Sequence, residues 1–111
     1  MNSLRVSQIA QFAGASLSSG DGTVVINKVS TDSRTIRSGE LFVALRGENF
    51  DGHDFVEASA KAGGTGALVD LDWAGNVPND FVVLRATDTL RAYQMLAANY
   101  RRSLALKVLA I

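Results

Sequence analysis

Cysteine is absent from these 111 residues, and proline, histidine and tryptophan occur once each, as Pro78, His53 and Trp73. The first absence removes disulfides, thiolate zinc sites and cysteine nucleophiles together, and it fits a reducing compartment. With a single histidine, a metal site would have to be all carboxylate, and the Asp and Glu residues are scattered rather than spaced as in known metal-binding loops. No net charge remains either, because eleven basic residues balance eleven acidic ones. Nothing therefore draws the chain electrostatically toward nucleic acid or an anionic membrane. No run of about 18 apolar residues is present to span a bilayer, and the opening Met-Asn-Ser-Leu-Arg has no apolar core of signal-peptide length. A cytoplasmic protein without membrane insertion is expected.

Catalytic signatures are missing as well. The serine-nucleophile pattern G-x-S-x-G and the phosphate-loop pattern G-x-x-x-x-G-K-[ST] do not occur. The run Gly63-Gly64-Thr65-Gly66 joins an expected helix to an expected strand, whereas a dinucleotide fingerprint needs the opposite order. His53, between Gly52 and Asp54, reads more readily as a turn or capping residue than as a general base. No self-contained catalytic constellation, no metal site and no cofactor is expected within these residues.

The residues present describe one small folded domain. A hydrophobic fraction of 47% with 20% charge is ordinary for a globular chain, so disorder is not expected, and a chain this long buries most of the surface that it exposes when unfolded. Ser7 is placed to cap a helix carrying Ile9, Phe12 and Ala13 on one face, with Gly14 to end it. Residues 15–17 and 23–29 flank a glycine-rich loop and predict a β-hairpin. Residues 41–45 are uniformly apolar and too short for a helix, which suits a central strand covered on both faces. A helix follows, from residues 51–54 to Gly63, with Phe55, Ala58, Ser59 and Ala62 as its apolar stripe. Strands are expected at 66–69 and 81–84, and a long helix over 88–103 with Leu90, Tyr93, Ala97 and Tyr100 along one side. Residues 108–111 read as an apolar strand. The fold class is α/β, a small mixed sheet with β-α-β units and helices packed on it.

Two polar loops border the 41–45 strand and concentrate the hydrogen-bonding chemistry. The first offers the Thr31 and Ser33 hydroxyls and the Arg34 guanidinium. The second contains Arg46 and runs into a helix N-terminus, where free amides and the helix dipole favour an anion. Asn49 is placed to read a base edge and Phe50 to stack on it. The competing account is that Asp32 and Ser33 only form a turn, that Arg34 and Arg46 pair with nearby carboxylates, and that Phe50 is a core residue.

Three runs carry a resemblance: S-T-D-S-R at 30–34, G-E-L-F-V-A-L-R-G at 39–47 and E-N-F-D-G-H-D-F at 48–55. They resemble the N-terminal domain of the muramyl ligases, which build the peptidoglycan stem peptide. Two branches share much of the pattern, those adding the third residue and those adding D-alanyl-D-alanine. The opening S-Q-I-A-Q-F-A-G-A-S-L and the closing Y-R-R-S-L-A-L-K-V-L-A-I look more like the second.

The resemblance implies a fold like the N-terminal domain of these ligases. Residues 1–106 would be the domain holding the UDP-muramyl peptide, and 107–111 the first strand of an ATP-binding domain cut from this chain. It implies that Thr31 and Ser33 contact the uridine and diphosphate while Asp32 and Arg34 shape that loop. Glu48, Asn49 and Phe50 would line the uracil pocket, and Arg46, Asp51 and His53 complete the assignment. The implied partner is a UDP-N-acetylmuramoyl-peptide, with ATP and Mg2+ serving the parent enzyme rather than this stretch. Self-association through the orphaned last strand is an expected hazard. The alternative class is a non-enzymatic interaction module that docks a partner on that strand and on the helix face over 90–104.

Overall fold

The computed structural model describes residues 2–109, with side chains through Leu106. Its strands are β1 (Leu4–Arg5), β2 (Ser16–Ser19), β3 (Val25–Ile26), β4 (Lys28–Ser30), β5 (Glu40–Val43), β6 (Gly66–Asp70) and β7 (Val82–Ala86). Its helices are α1 (Val6–Ala13), α2 (Val56–Lys61) and α3 (Thr89–Leu109), and a 3-10 turn, Gly52–Phe55, leads into α2. Five strands form one mixed sheet in the order β2-β7-β6-β5-β4. β4, β5, β6 and β7 run parallel, and β2 is antiparallel on the edge against β7. β1 and β3 make a separate two-stranded ladder.

The apolar runs are continuous because the sheet is buried on both faces. Alternate residues of each strand enter opposite cores. Leu41, Val43, Leu68, Val82 and Leu84 join Val6, Ile9 and Ala13 of α1 and Ala92 and Leu96 of α3. Phe42, Ala44, Ala67, Val69, Phe81 and Val83 join Ile36 and Val56 on the other side. The expected two-sided cover of the 41–45 strand is therefore present, although β6 rather than β5 is the middle strand.

Five local expectations differ from the structure. The hairpin does not form: β2 pairs with β7 and β3 with β1. The intervening loop is used instead to close the start of α1, where the Val24 and Gly22 carbonyls accept from the Val6 and Ser7 amides at 2.8 and 2.9 Å. For the same reason α1 starts two residues earlier than expected, at Val6, and Ser7 is not its cap. Gln8 Oε1 accepts from the Arg5 amide at 3.0 Å, and Gly14 ends the helix in the left-handed region at φ 66°.

On α2 the buried residues are Val56 and Ser59. Phe55 and Ala58 face outward, because the preceding 3-10 turn advances more per residue than an α-helix and rotates the stripe. On α3 the buried positions are Thr89, Ala92 and Leu96, with Tyr93 and Tyr100 half-buried, while Leu90 and Ala97 are exposed. This helix also continues through Leu109, so two of the four residues expected to start a last strand are helical. Ala110 and Ile111 lie outside the described residues. The run Leu104-Ala105-Leu106-Lys107 consists of strong helix formers that extend the preceding turns. Among the described residues no helix is long and apolar enough to cross a membrane.

Candidate functional site

Because β4 and β5 are parallel neighbours with Ser30 opposite Phe42, the loops that follow them leave the same end of the sheet. That is the carboxyl end, where open α/β sheets present ligand sites. Between the loops lies a cleft of about 360 Å³ lined by Thr31, Asp32, Ser33, Arg34, Phe42, Phe50 and Phe55.

The first loop is held by bonds that span two residues. Ser30 Oγ accepts from the Asp32 amide at 3.1 Å, and Asp32 Oδ1 accepts from the Arg34 amide at 2.9 Å. The Arg34 guanidinium then donates to both Asp32 oxygens at 3.1 Å. This pairing, first through the side-chain bonds and then through the amide, holds the Asp32 carboxyl below its ordinary range and Arg34 above its own. Arg34 is 87% exposed, so the loop is a surface turn whose charged groups neutralise one another.

The second loop folds back on itself. Arg46 and Asp51 form an antiparallel bridge, and the Phe50 carbonyl accepts from the Gly47 amide at 2.8 Å. Gly52 donates to the Leu45 carbonyl at 2.7 Å. A Cβ at Gly52 would lie 2.8 Å from Leu45 N and 2.9 Å from Leu45 O, so the close approach of the two backbones requires glycine here. The turn presents Phe50, 55% exposed, against Phe55 with ring centroids 6.2 Å apart.

Beside this turn, four residues close a ring. Asp51 Oδ1 accepts from His53 Nδ1 at 2.7 Å and from the His53 amide at 3.0 Å. Asp51 Oδ2 accepts from Arg46 Nε at 3.3 Å, and Arg46 Nη2 pairs with the Asp70 carboxylate at the carboxyl end of β6. His53 Nε2 accepts from the Asp70 amide at 3.0 Å. With Nε2 used as an acceptor, the ring proton sits on Nδ1, donated to Asp51. The His53 amide, followed by the ring and by Arg46, holds the Asp51 carboxyl below its ordinary range. Arg46 is raised, first by its bond to Asp51 and then by the charge of Asp70.

Thr31, Asp32, Ser33, Arg34 and Phe50 are therefore brought together, whereas Glu48 and Asn49 are exposed on the turn and do not line the cleft. Arg46, Asp51 and His53 assemble next to it. The helix N-terminus expected to attract an anion is a 3-10 turn whose Gly52 amide is taken by the Leu45 carbonyl and whose His53 amide is taken by Asp51. The competing account holds for the arginines, which do pair with carboxylates, and fails for Phe50, which is no core residue. Asp70 and the wall residues Phe42 and Phe55 went unassigned from sequence. A carboxylate ending the apolar run 66–69 was a readable signal for Asp70, since it marks the carboxyl end of a buried strand.

Comparison with known proteins adds an independent line. Residues 25–102 match the model of the Mur ligase family, catalytic domain. The UDP-N-acetylmuramoyl-tripeptide–D-alanyl-D-alanine ligase of Escherichia coli (strain K12) is 38% identical over 111 residues, which is 100% of this chain and 23% of that protein. The ligase of the same name from Bacillus subtilis (strain 168) is 40% identical over 87 residues, 78% of this chain and 19% of that one. A crystal structure of MurF from Acinetobacter baumannii superposes with a TM-score of 0.81 at 28% identity, covering 95% of this chain and 22% of that one. The chain thus spans about a fifth of the length of the curated relatives it matches.

Proposed function

This chain belongs to the Mur ligase family, and from that premise we propose that it is the N-terminal substrate-binding domain of a D-alanyl-D-alanine-adding ligase. In this reading it grips the UDP end of a UDP-N-acetylmuramoyl tripeptide in the cytoplasm. The observation that carries the proposal is the cleft itself, in which a loop with two hydroxyls and a guanidinium faces an exposed aromatic wall at the carboxyl ends of β4 and β5. Hydroxyls and a guanidinium suit a diphosphate, and Phe50 offers a face on which a base stacks. The similarity supports this reading, since a relative bearing the D-alanyl-D-alanine ligase name aligns along the whole chain.

ATP, which such a ligase consumes, and the Mg2+ that accompanies it do not fit the residues present. The phosphate-loop pattern is absent from the sequence, and among the described residues no group of three His, Asp or Glu side chains is arranged to hold a metal ion. In this reading the stretch binds the substrate, and no step of amide formation is assigned to it.

Titration of the chain with UDP, UMP and ADP, followed by amide chemical shifts, tests the reading. UDP should move residues 31–34 and 46–53, and ADP should move them less. No shifts with UDP, or equal shifts with ADP, overturns the uridine assignment.

A further inference from the structure

The ring Arg46, Asp51, His53 and Asp70 lies outside the cleft, yet it grips both ends of the turn that carries Phe50. Arg46 precedes the turn and Asp51 follows it, and the two are joined to each other. Each is also tied to the end of β6, Arg46 through the Asp70 carboxylate and Asp51 through His53 to the Asp70 amide. The His53 side chain is only 8% exposed, so it is a buried strut between the loop and the sheet. A second anchor sits at the root of the same loop, where the buried Thr89 hydroxyl donates to the Ala44 carbonyl at 2.7 Å. We infer that His53 is a positioning residue, which fixes the Phe50 wall of the cleft by holding the 46–51 turn on β6 through Asp51 and Asp70. His53 then touches no ligand. It acts through Phe50, and the whole ring serves as one clamp. The binding part of this inference rests on the nucleotide reading proposed above, while the effect on the turn does not.

Geometry separates two conservative replacements. Glutamine places an acceptor near the position of Nε2 and keeps the link to the Asp70 amide, whereas asparagine reaches only the position of Nδ1 and keeps the link to Asp51 alone. Backbone order parameters of the unliganded 111-residue chain give the direct readout. His53→Ala should lower the 47–50 amides from about 0.85 to below about 0.6, the change from a rigid to a flexible backbone. His53→Gln should restore more of that order than His53→Asn.

Binding of UMP then tests whether the effect passes through Phe50. His53→Ala should weaken it about tenfold in the parent sequence and less than about twofold when Phe50 is already alanine, a coupling expected only of groups acting as one network. Unchanged order at 47–50 in His53→Ala overturns the inference, as does an undiminished loss in the Phe50→Ala background. If His53→Ala does not fold, Arg46→Gln opens the ring at its exposed corner. The same local loosening then supports the clamp, and an unaltered turn overturns it. Should the parent chain bind no UMP, the nucleotide reading fails and the order parameters alone decide the clamp.

Discussion

The two loops at the carboxyl end of the sheet share a cleft and differ in what holds them. Residues 31–34 are secured by bonds between neighbours two apart, all in contact with solvent. Residues 46–53 are secured by bonds to β6 across 17 positions of sequence and by a nearly buried imidazole. The first loop is set by local chemistry, the bonds between Asp32 and Arg34. The second is set by tertiary structure, so its aromatic wall is in place before a ligand arrives. In the proposed reading, such a division places rigidity at the surface offered for stacking and adaptability at the surface offered for charge. Preorganising one side lowers the ordering cost of binding.

The largest difference between the loops should appear at Gly52. Alanine there drives a Cβ into the backbone of Leu45, and the expected loss is about 1–3 kcal/mol of unfolding free energy, the usual scale of overpacking. Urea denaturation measures it, with displaced Phe50 and Phe55 resonances as the local sign. A Gly52→Ala chain as stable as the parent would remove the claim that the second loop is locked to the sheet.

Acid provides a gentler comparison. Asp51 titrates below its unfolded value, so the stability that it contributes is present above about pH 4 and is lost as pH falls through the folded pKa. More than a third of its side chain is exposed, and screening reduces the effect. The urea midpoint of the parent should fall more between pH 5 and pH 3 than that of Asp51→Asn. Asp32 is shifted in the same direction but its partner Arg34 is almost wholly in solvent, so Asp32→Asn should reproduce the parental acid limb closely. Equal limbs for the two variants would erase the distinction between the loops.

The smallest stability effect is expected at Arg34. Exposed ion pairs contribute little, so Arg34→Ala should leave the urea midpoint at pH 7 unchanged while weakening UDP more than it weakens uridine. A clear loss of stability would show that the first loop, too, is part of the frame.

Much of the fold was legible in the sequence where side chains decide matters locally. The uniformly apolar strands at 41–45, 66–69 and 81–84 have few ways to be covered other than by two cores, and both cores are present. Gly14 ends α1 as its position implied. The runs at 30–34 and 48–55 carried the family, and the comparisons agree. Partner choice was not legible. Residues 15–17 and 23–29 have the look of a hairpin, but each found a more distant strand, because β7 needed a neighbour and the first amides of α1 needed carbonyls.

The candidate site divides along the same line. Composition shows that the chain has no thiol, and pattern marked Thr31, Ser33, Arg34 and Phe50 as the groups expected to bind. Only the tertiary structure decided that β4 runs parallel to β5, which brings both loops to one end of the sheet. Only the tertiary structure tied His53 to Asp70, which turns a candidate ligand contact into part of a frame. The physical reason is that donors and acceptors are properties of single residues, whereas strand direction and burial depend on what lies opposite them in space.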